Sequence, residues 1–197
     1  MLSLQHKEYV KTFIGMMSSL PDQELSEFFR VLELKSYAAN SYFTQVGDTH
    51  DRVGLVVQGV FRVYYPSADG KIHIRNFCRE GMLLGSYATI LTGQPAHVSI
   101  QSLEESTVLQ FSYGFITERC ERHWGWERLA RRVAEGHYIS REQREYQFLS
   151  LDAAGRLEQF RKDFPGLEER IAKAHIASYI GVQPETLSRL SAGRDIS

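Results

Sequence analysis

The sequence predicts an α+β fold: an N-terminal double-stranded β-roll, or jelly roll, with flanking helices, then one long helix, then a C-terminal helical domain. Three observations predict this order. Residues 34–112 contain short segments of two-residue alternation, a long proline-free segment follows, and the last part of the chain has helical periodicity. We expect a sensor-type β-roll over residues 1–121, a dimerisation helix over 122–150 and a helical domain over 151–197.

The composition is that of an ordinary globular protein, with 43% hydrophobic and 24% charged residues. No apolar stretch reaches the ~20 residues of a membrane span, and the start of the chain lacks the layout of a signal peptide. Two cysteines, Cys78 and Cys120, are too few for a disulfide scaffold and form no CxxC pair for zinc. We therefore expect a cytoplasmic protein with no membrane partner.

The charge of the chain does not by itself indicate a nucleic-acid partner. The net charge is −1, and residues 151–197 carry as many acidic as basic side chains. Any prediction of DNA binding must therefore rest on sequence pattern.

The segment before the strands predicts a short helix that opens around Pro21. Proline is favoured in the first turn of a helix, and the acidic Asp22 and Glu24 complement the helix dipole there. Apolar residues at helical spacing predict its buried face: Leu25, Phe28, Phe29 and Leu32.

Five alternating segments predict the strands of the β-roll: Val53–Val57, Val60–Tyr65, Ile72–Phe77, Val98–Leu103 and Thr107–Phe111. Glycines punctuate them, as turns require: Gly47, Gly59, Gly70, Gly81, Gly85 and Gly93. Many short strands at this spacing are typical of a small closed or double-sheet β-structure.

The segment from Trp124 to Leu149 contains no proline and predicts one helix of ~26 residues, about 39 Å long. One stripe along it is apolar or small: Trp126, Leu129, Val133, Gly136 and Ser140. An ordinary packed helix is one interpretation. The length of the helix favours a second interpretation, in which the stripe that the β-roll leaves uncovered pairs with a second copy of the chain. This stripe is more polar than the contact face of a typical coiled coil.

The C-terminal domain predicts a helix over Ala153–Asp163, capped by Asp152, and then two further short helices. Ile176 and Ile180 share one face of the first of these, which Gly181 ends sharply. Pro184 then suits the first position of the second helix, where Leu187 and Leu190 face inward. Two crossed helices with a glycine-bearing turn between them indicate a helix-turn-helix.

The outward face of the second helix carries candidate DNA-binding residues: Glu185, Thr186, Ser188 and Arg189. Arginine can grip O6 and N7 of guanine, and glutamate can accept from the N4 amine of cytosine. The hydroxyls of Thr186 and Ser188 suit phosphate oxygens. The alternative is an amphipathic helical hairpin whose outer face is merely solvated.

These residues give the chain a resemblance to the CRP/FNR family of bacterial transcription regulators. The segment Pro184–Arg189 resembles the family's recognition-helix signature, and Gly47-Asp48 with Val57–Val63 resembles its cyclic-nucleotide-binding β-roll. The resemblance implies that Glu185 and Arg189 read a G·C pair in each half of a palindrome and that Ser188 also contacts DNA. It implies as partners double-stranded palindromic DNA, a second copy of the chain, RNA polymerase and a small-molecule effector that the sequence does not identify.

The ligand positions depart from the family's cAMP-binding pattern. Anchored on Gly85, the positions of the ribose-binding glutamate and the phosphate-binding arginine hold Ser86 and Ala96. No Lys or Arg occurs between Arg79 and Arg119, so a phosphate has no local cation, unless Arg62 or Arg75 reaches in from a neighbouring strand. We expect no response to cAMP.

Other sensor chemistries of the family also fit poorly. Two cysteines cannot supply the four thiolates of an iron–sulfur cluster. Haem would need an axial histidine such as His73 or His97, and a lone histidine in a β-roll is more often structural. The candidate effector-binding residues are Ser86, Tyr87, His97 and Ser99. The alternative is a degenerate pocket that holds no ligand, because the side chains of Tyr87 and Leu84 fill it. We expect no cofactor, no metal and no catalytic residue.

Two competing functions follow from the same sequence. A cupin-like enzyme would need an HxH pair, whereas His73 stands alone in Ile72-His73-Ile74. The second alternative is a sensing or protein-interaction module with a degenerate DNA-binding domain. Only seven residues follow Leu190, so we expect a helix-turn-helix that lacks a full β-hairpin wing, and this slightly favours that alternative.

Overall fold

The structure is a computed structural model that describes residues 2–67, 70 and 72–192. In chain order its helices are α1 (Leu4–Gly15), α2 (Asp22–Val31), α3 (Tyr87–Thr92), α4 (Tyr113–Cys120), α5 (Trp124–Ser150), α6 (Ala153–Asp163), α7 (Lys173–Ile180) and α8 (Pro184–Ala192), with a 3-10 turn at Leu167–Glu169. Its strands are β1 (Glu33–Tyr37), β2 (Tyr42–Thr44), β3 (Arg52–Gln58), β4 (Phe61–Pro66), β5 (Ile72–Cys78), β6 (Leu83–Leu84), β7 (Ser99–Ser102) and β8 (Ser106–Ser112).

The chain divides into two compact units. The first comprises Met1–Val63 and Phe77–His137, and the second comprises Tyr64–Asn76 and Tyr138–Ser197. Helix α5 belongs to the first unit up to His137 and to the second from Tyr138. The division into three parts at residues 121 and 150 stays a prediction.

The strands form two four-stranded sheets, in the orders β1-β8-β3-β6 and β2-β7-β4-β5. In the first sheet β8 runs antiparallel to both β1 and β3, with Leu55 opposite Leu109. A core of buried apolar side chains fills the β-roll, and it includes Phe43, Val56, Phe61 and Val108. The predicted α+β architecture with a β-roll is confirmed.

A second core in the first unit joins helices α1, α2, α4 and α5 to strands β3 and β8. The ring of Phe28 lies edge-on to that of Trp126 at a centroid distance of 5.2 Å. The indole Nε1 of Trp126 donates to Glu24 Oε2 at 2.7 Å, so the fully buried ring has its one polar atom satisfied. Arg119 forms ion pairs with Glu24 and Glu27 and ties α4 to α2.

The second unit has its own core around α6 and α7. Asp152 caps α6 as predicted, since its side chain accepts from Gly155 N at 2.8 Å. The rings of Phe160, Phe164 and Tyr179 contact one another at centroid distances of 5.5–5.6 Å. This cluster positions α7 against α6.

The five predicted strands are present as β3, β4, β5, β7 and β8, and the long helix runs one residue beyond its predicted end. Two details differ. Helix α2 begins at Asp22, directly after Pro21, and Phe29 is only half-buried. Along α5, Trp126 and Leu129 are buried, whereas Gly136 and Ser140 are exposed.

Candidate functional site

The turn between α7 and α8 has the geometry that the sequence predicts. Gly181 ends α7 in the left-handed conformation, at φ +74°, and Pro184 is the first residue of α8. Ile176 and Ile180 of α7 are fully buried, and so is Leu187 of α8, while Leu190 is half-buried. The buried leucine fixes the rotation of α8 about its axis.

The outward face of α8 carries the four predicted DNA-binding residues. Glu185, Ser188 and Arg189 are exposed, and Thr186 is half-buried. The Ser188 hydroxyl donates to Pro184 O one turn back at 3.1 Å, and Arg189 Nη2 lies 3.4 Å from Thr186 Oγ1. The described contacts of Arg189 include no carboxylate, so its guanidinium keeps most of its donors for another partner.

Four consecutive residues at the end of α7, Ser178 to Gly181, are each held by a different group of the second unit. We call this segment the α7 end. Arg144 of α5 donates to Tyr179 O, and its guanidinium lies 3.6 Å from the centre of the Tyr179 ring. Arg156 of α6 donates through Nε to Ile180 O at 2.7 Å and through Nη1 to Leu151 O at 2.7 Å.

The ring of Phe148 covers the remaining residue of the α7 end. A Cβ atom at Gly181 would lie 2.8 Å from Phe148 Cε1, so a side chain there meets an obstacle as well as an unfavourable φ. Phe148 also faces the guanidinium groups of Arg144 and Arg156, at 4.3 and 5.2 Å from its ring centre. Burial lowers the pKa of Arg144 and raises the pKa of Tyr179.

The hairpin of β4 and β5 reaches the α7 end within the second unit. The Ser178 hydroxyl donates to Ile72 O at 2.9 Å and accepts from Ile74 N at 3.1 Å. Strand β5 is the last strand of its sheet, so this hydroxyl satisfies backbone groups on a strand edge. The contact links the first helix of the pair to the hairpin.

Sequence reasoning missed this network and its members Arg144, Phe148, Arg156 and Ser178. Gly181 was the only local signal, because a glycine after an apolar helical pattern indicates a left-handed residue. The partners of the α7 end lie up to 106 positions away in the sequence, where no spacing rule applies.

The four candidate effector-binding residues occupy different environments. Ser86 is buried and bonds through its hydroxyl to Thr89 Oγ1 at 2.8 Å. Ser99 is also buried, and its Oγ accepts from Val46 N at 3.3 Å. His97 is exposed, and Tyr87 lies against Tyr113 and His137. The described contacts join none of these four to another.

Arg62, considered above as a cation for a phosphate, binds an internal partner. Its Nε and Nη2 donate to Gln101 Oε1 at 3.0 and 2.6 Å, and Gln101 in turn donates to Asn40 O at 2.9 Å. Ala96, at the position of the family's phosphate-binding arginine, is 1% exposed.

The described part of the chain contains no group of three or more His, Cys, Asp or Glu side chains placed to hold a metal ion. It also contains no helix long and apolar enough to cross a membrane.

A match to a protein family covers the β-roll. Residues 34–123 match the cyclic nucleotide-binding domain family. This range runs from the second residue of β1 to the residue before α5, so it covers the β-roll and α4. The curated proteins include no match to the sequence.

Several solved structures share the fold over most of the chain. FixK2 from Bradyrhizobium japonicum matches with a TM-score of 0.71 and 18% identity, over 83% of this chain and 84% of its own. The regulator CLP from Xanthomonas campestris matches at 0.66 and 14%, over 89% and 92%. A CooA mutant from Carboxydothermus hydrogenoformans matches at 0.66 and 18%, over 85% and 78%. At these identities the likeness shows the fold.

Proposed function

We propose that this protein is a homodimeric, sequence-specific DNA-binding transcription regulator of CRP/FNR type, whose sensor β-roll does not respond to cAMP. The proposal combines a β-roll that matches the cyclic nucleotide-binding domain family with a C-terminal helix pair. Its fold is shared with CLP, which is described as a c-di-GMP-responsive global regulator that links cell–cell signalling to virulence gene expression.

The arrangement of α8 carries the proposal. Leu187 is 1% exposed and turns the opposite face of the helix outward, where Glu185, Ser188 and Arg189 lie. Residues four apart project from the same helix face, so Glu185 and Arg189 can reach adjacent base edges in one major groove. The network at the α7 end holds α7, and with it the turn that aims α8.

The second half of α5 supports a homodimer. Several large side chains on it are exposed to solvent in the single chain: Tyr138 at 70%, Ile139 at 52%, Tyr146 at 63% and Leu149 at 81%. Tyr138, Tyr146 and Leu149 lie close to one helix face, at spacings of eight and three residues. A second copy related by two-fold symmetry would cover this face and place two α8 helices on the halves of a palindrome.

The local chemistry supports a sensor that does not take cAMP. Ser86 supplies no carboxylate for a ribose hydroxyl and Ala96 no guanidinium for a phosphate, the groups that the resemblance implies for cAMP. The Ser86 hydroxyl bonds instead to Thr89 Oγ1. Arg62 is held by Gln101. An ionised phosphate without a partner would cost several kcal/mol to bury.

A gel shift against a pool of palindromic duplexes tests the function. We expect discrete complexes that survive excess non-specific DNA, with an affinity that falls steeply as salt rises. Addition of cAMP should leave that affinity unchanged. Equal affinity for every duplex, or no complex at low salt, would contradict the proposal and favour a sensing or interaction module.

A further inference from the structure

An apolar cavity of about 80 Å³ lies in the first unit, and Ala96 and Ser99 are not among the residues that line it. Strands β3, β6 and β8 form one side of it, and helices α1, α2, α4 and α5 form the other. The start of α3, from Gly85 through Tyr87 to Ile90, closes one end. This cavity is roughly half the size of an engineered 150 Å³ cavity that stays dry and takes up benzene.

Three polar side chains interrupt the apolar lining of the cavity: Tyr87, Tyr113 and His137. The Tyr87 ring stacks on His137 at a centroid distance of 6.4 Å and lies edge-on to Tyr113 at 6.1 Å. Burial, with a hydrogen bond that the Tyr113 hydroxyl donates to Tyr87, raises the pKa of Tyr113 to about 12, so this hydroxyl stays protonated at physiological pH. The cavity therefore has a neutral hydrogen-bonding group on one wall.

The charge of the lining restricts the ligand. Among the described residues that line the cavity there is no Lys, Arg, Asp or Glu. An ionised phosphate or carboxylate would lose its hydration there with no Lys or Arg to pair with, which opposes its binding. A neutral apolar molecule gains the burial of its surface against Phe28, Leu55 and Val133 instead.

We propose that this cavity binds a small, neutral, mainly apolar molecule whose single hydroxyl group hydrogen bonds to the Tyr87–Tyr113 pair. Leu129, Ala130 and Val133 of α5 line the same cavity, so an occupant contacts the helix on which dimerisation is proposed. Binding itself is independent of DNA. Its use as an effector signal rests on the proposed function.

The binding test uses the whole chain with two probes smaller than benzene, propane and 2-propanol, in chemical-shift titrations and thermal unfolding. We expect saturable binding of 2-propanol and a melting temperature that rises under propane. Ala130→Leu, which adds three carbons inside the cavity, should abolish binding of both probes. Ala134→Leu is the matched control, because Ala134 lies one turn away on α5 and does not line the cavity.

A second variant tests the hydroxyl pair even if Ala130→Leu fails to fold. Tyr113→Phe keeps the ring and should weaken the binding of 2-propanol about five- to tenfold while leaving the binding of propane unchanged. Absence of saturable binding to the wild type, or binding that Ala130→Leu leaves unchanged, would overturn the proposal. Equal loss of both probes in a folded Tyr113→Phe protein would overturn the role of the hydroxyl. None of these outcomes involves DNA, so failure here is distinguishable from failure of the proposed function.

Discussion

The Ser178 hydroxyl donates to the carbonyl oxygen of Ile72 at 2.9 Å, and so fastens helix α7 to the edge strand of the β4–β5 hairpin. The Ser178 Oγ also accepts from the amide of Ile74, a residue of β5 that is 4% exposed. Without the Ser178 hydroxyl, the Ile72 carbonyl and the Ile74 amide would lose these two hydrogen bonds at the edge of the sheet.

Ser178→Ala should therefore destabilise the protein by about 1–2 kcal/mol, because it removes this partner from the amide of the buried Ile74 and from the carbonyl of the half-buried Ile72. Urea unfolding measures the free energy, and hydrogen exchange should show faster exchange of the Ile74 amide in particular. Ser188→Ala is the control, since among the described residues that exposed hydroxyl bonds within its own helix, to Pro184 O. An Ile74 amide that exchanges equally slowly in both variants would contradict the contact.

Gly181→Ala tests the turn between α7 and α8. Alanine at φ +74° is strained, and its Cβ would lie 2.8 Å from Phe148 Cε1, so we expect a loss of about 2 kcal/mol or more in thermal or urea unfolding. Gly15→Ala provides the comparison, because nothing lies within 4 Å of a Cβ there and the residue is helical. A neutral effect at Gly181 would mean that the turn adopts another conformation.

His50 predicts a specific pH dependence of stability. Burial, with the nearby Arg52, lowers the pKa of His50 below its ordinary value of 6.5 in the folded protein. The unfolded chain then binds the proton more readily, so the free energy of unfolding falls as pH drops from about 6.5 towards the lower folded pKa. His50→Gln should flatten this slope in that window and leave the slope above pH 7 unchanged. An unaltered slope below pH 6.5 would assign the dependence to other groups.

The sequence predicted those elements whose burial follows a period. Each of β3, β4, β8 and α7 buries one face, and its apolar residues therefore recur with the period of a strand or a helix. Strand β1 was missed because four of its five residues are exposed and only backbone pairing with β8 makes it a strand. Helix α1 was missed because it buries only Val10 and Ile14.

The candidate site divides in the same way. The outward residues of α8 could be predicted, because a buried Leu187 and a proline start fix which side chains face out. The partners of the α7 end, Arg144, Arg156 and the β5 edge, follow from tertiary packing between distant segments. The predicted absence of a wing depends partly on residues 193–197, which lie outside the described residues.

The homodimer is tested at the exposed face of α5. Leu149→Glu places a charge where a second copy would bury a leucine, so the dimer dissociation constant should rise at least tenfold. Leu4→Glu is the matched control, since Leu4 is a similarly exposed helical leucine at 75%. Sedimentation of the wild type as a 22.6 kDa species at micromolar concentration, or equal behaviour of both variants, would contradict dimerisation through α5.

Base reading by α8 is measured most directly by selection of bound duplexes from a random pool, with the wild type and Arg189→Ala compared at two salt concentrations. The wild type should select a palindrome whose half-sites are centred about one helical turn apart. Arg189→Ala should lose about 1–3 kcal/mol per half-site and relax the preference at one base pair in each half. A contact to phosphate alone would instead weaken all sequences equally and reduce the salt slope by about one unit. Identical selected sequences for the two proteins would contradict base reading by Arg189, even if overall binding weakened.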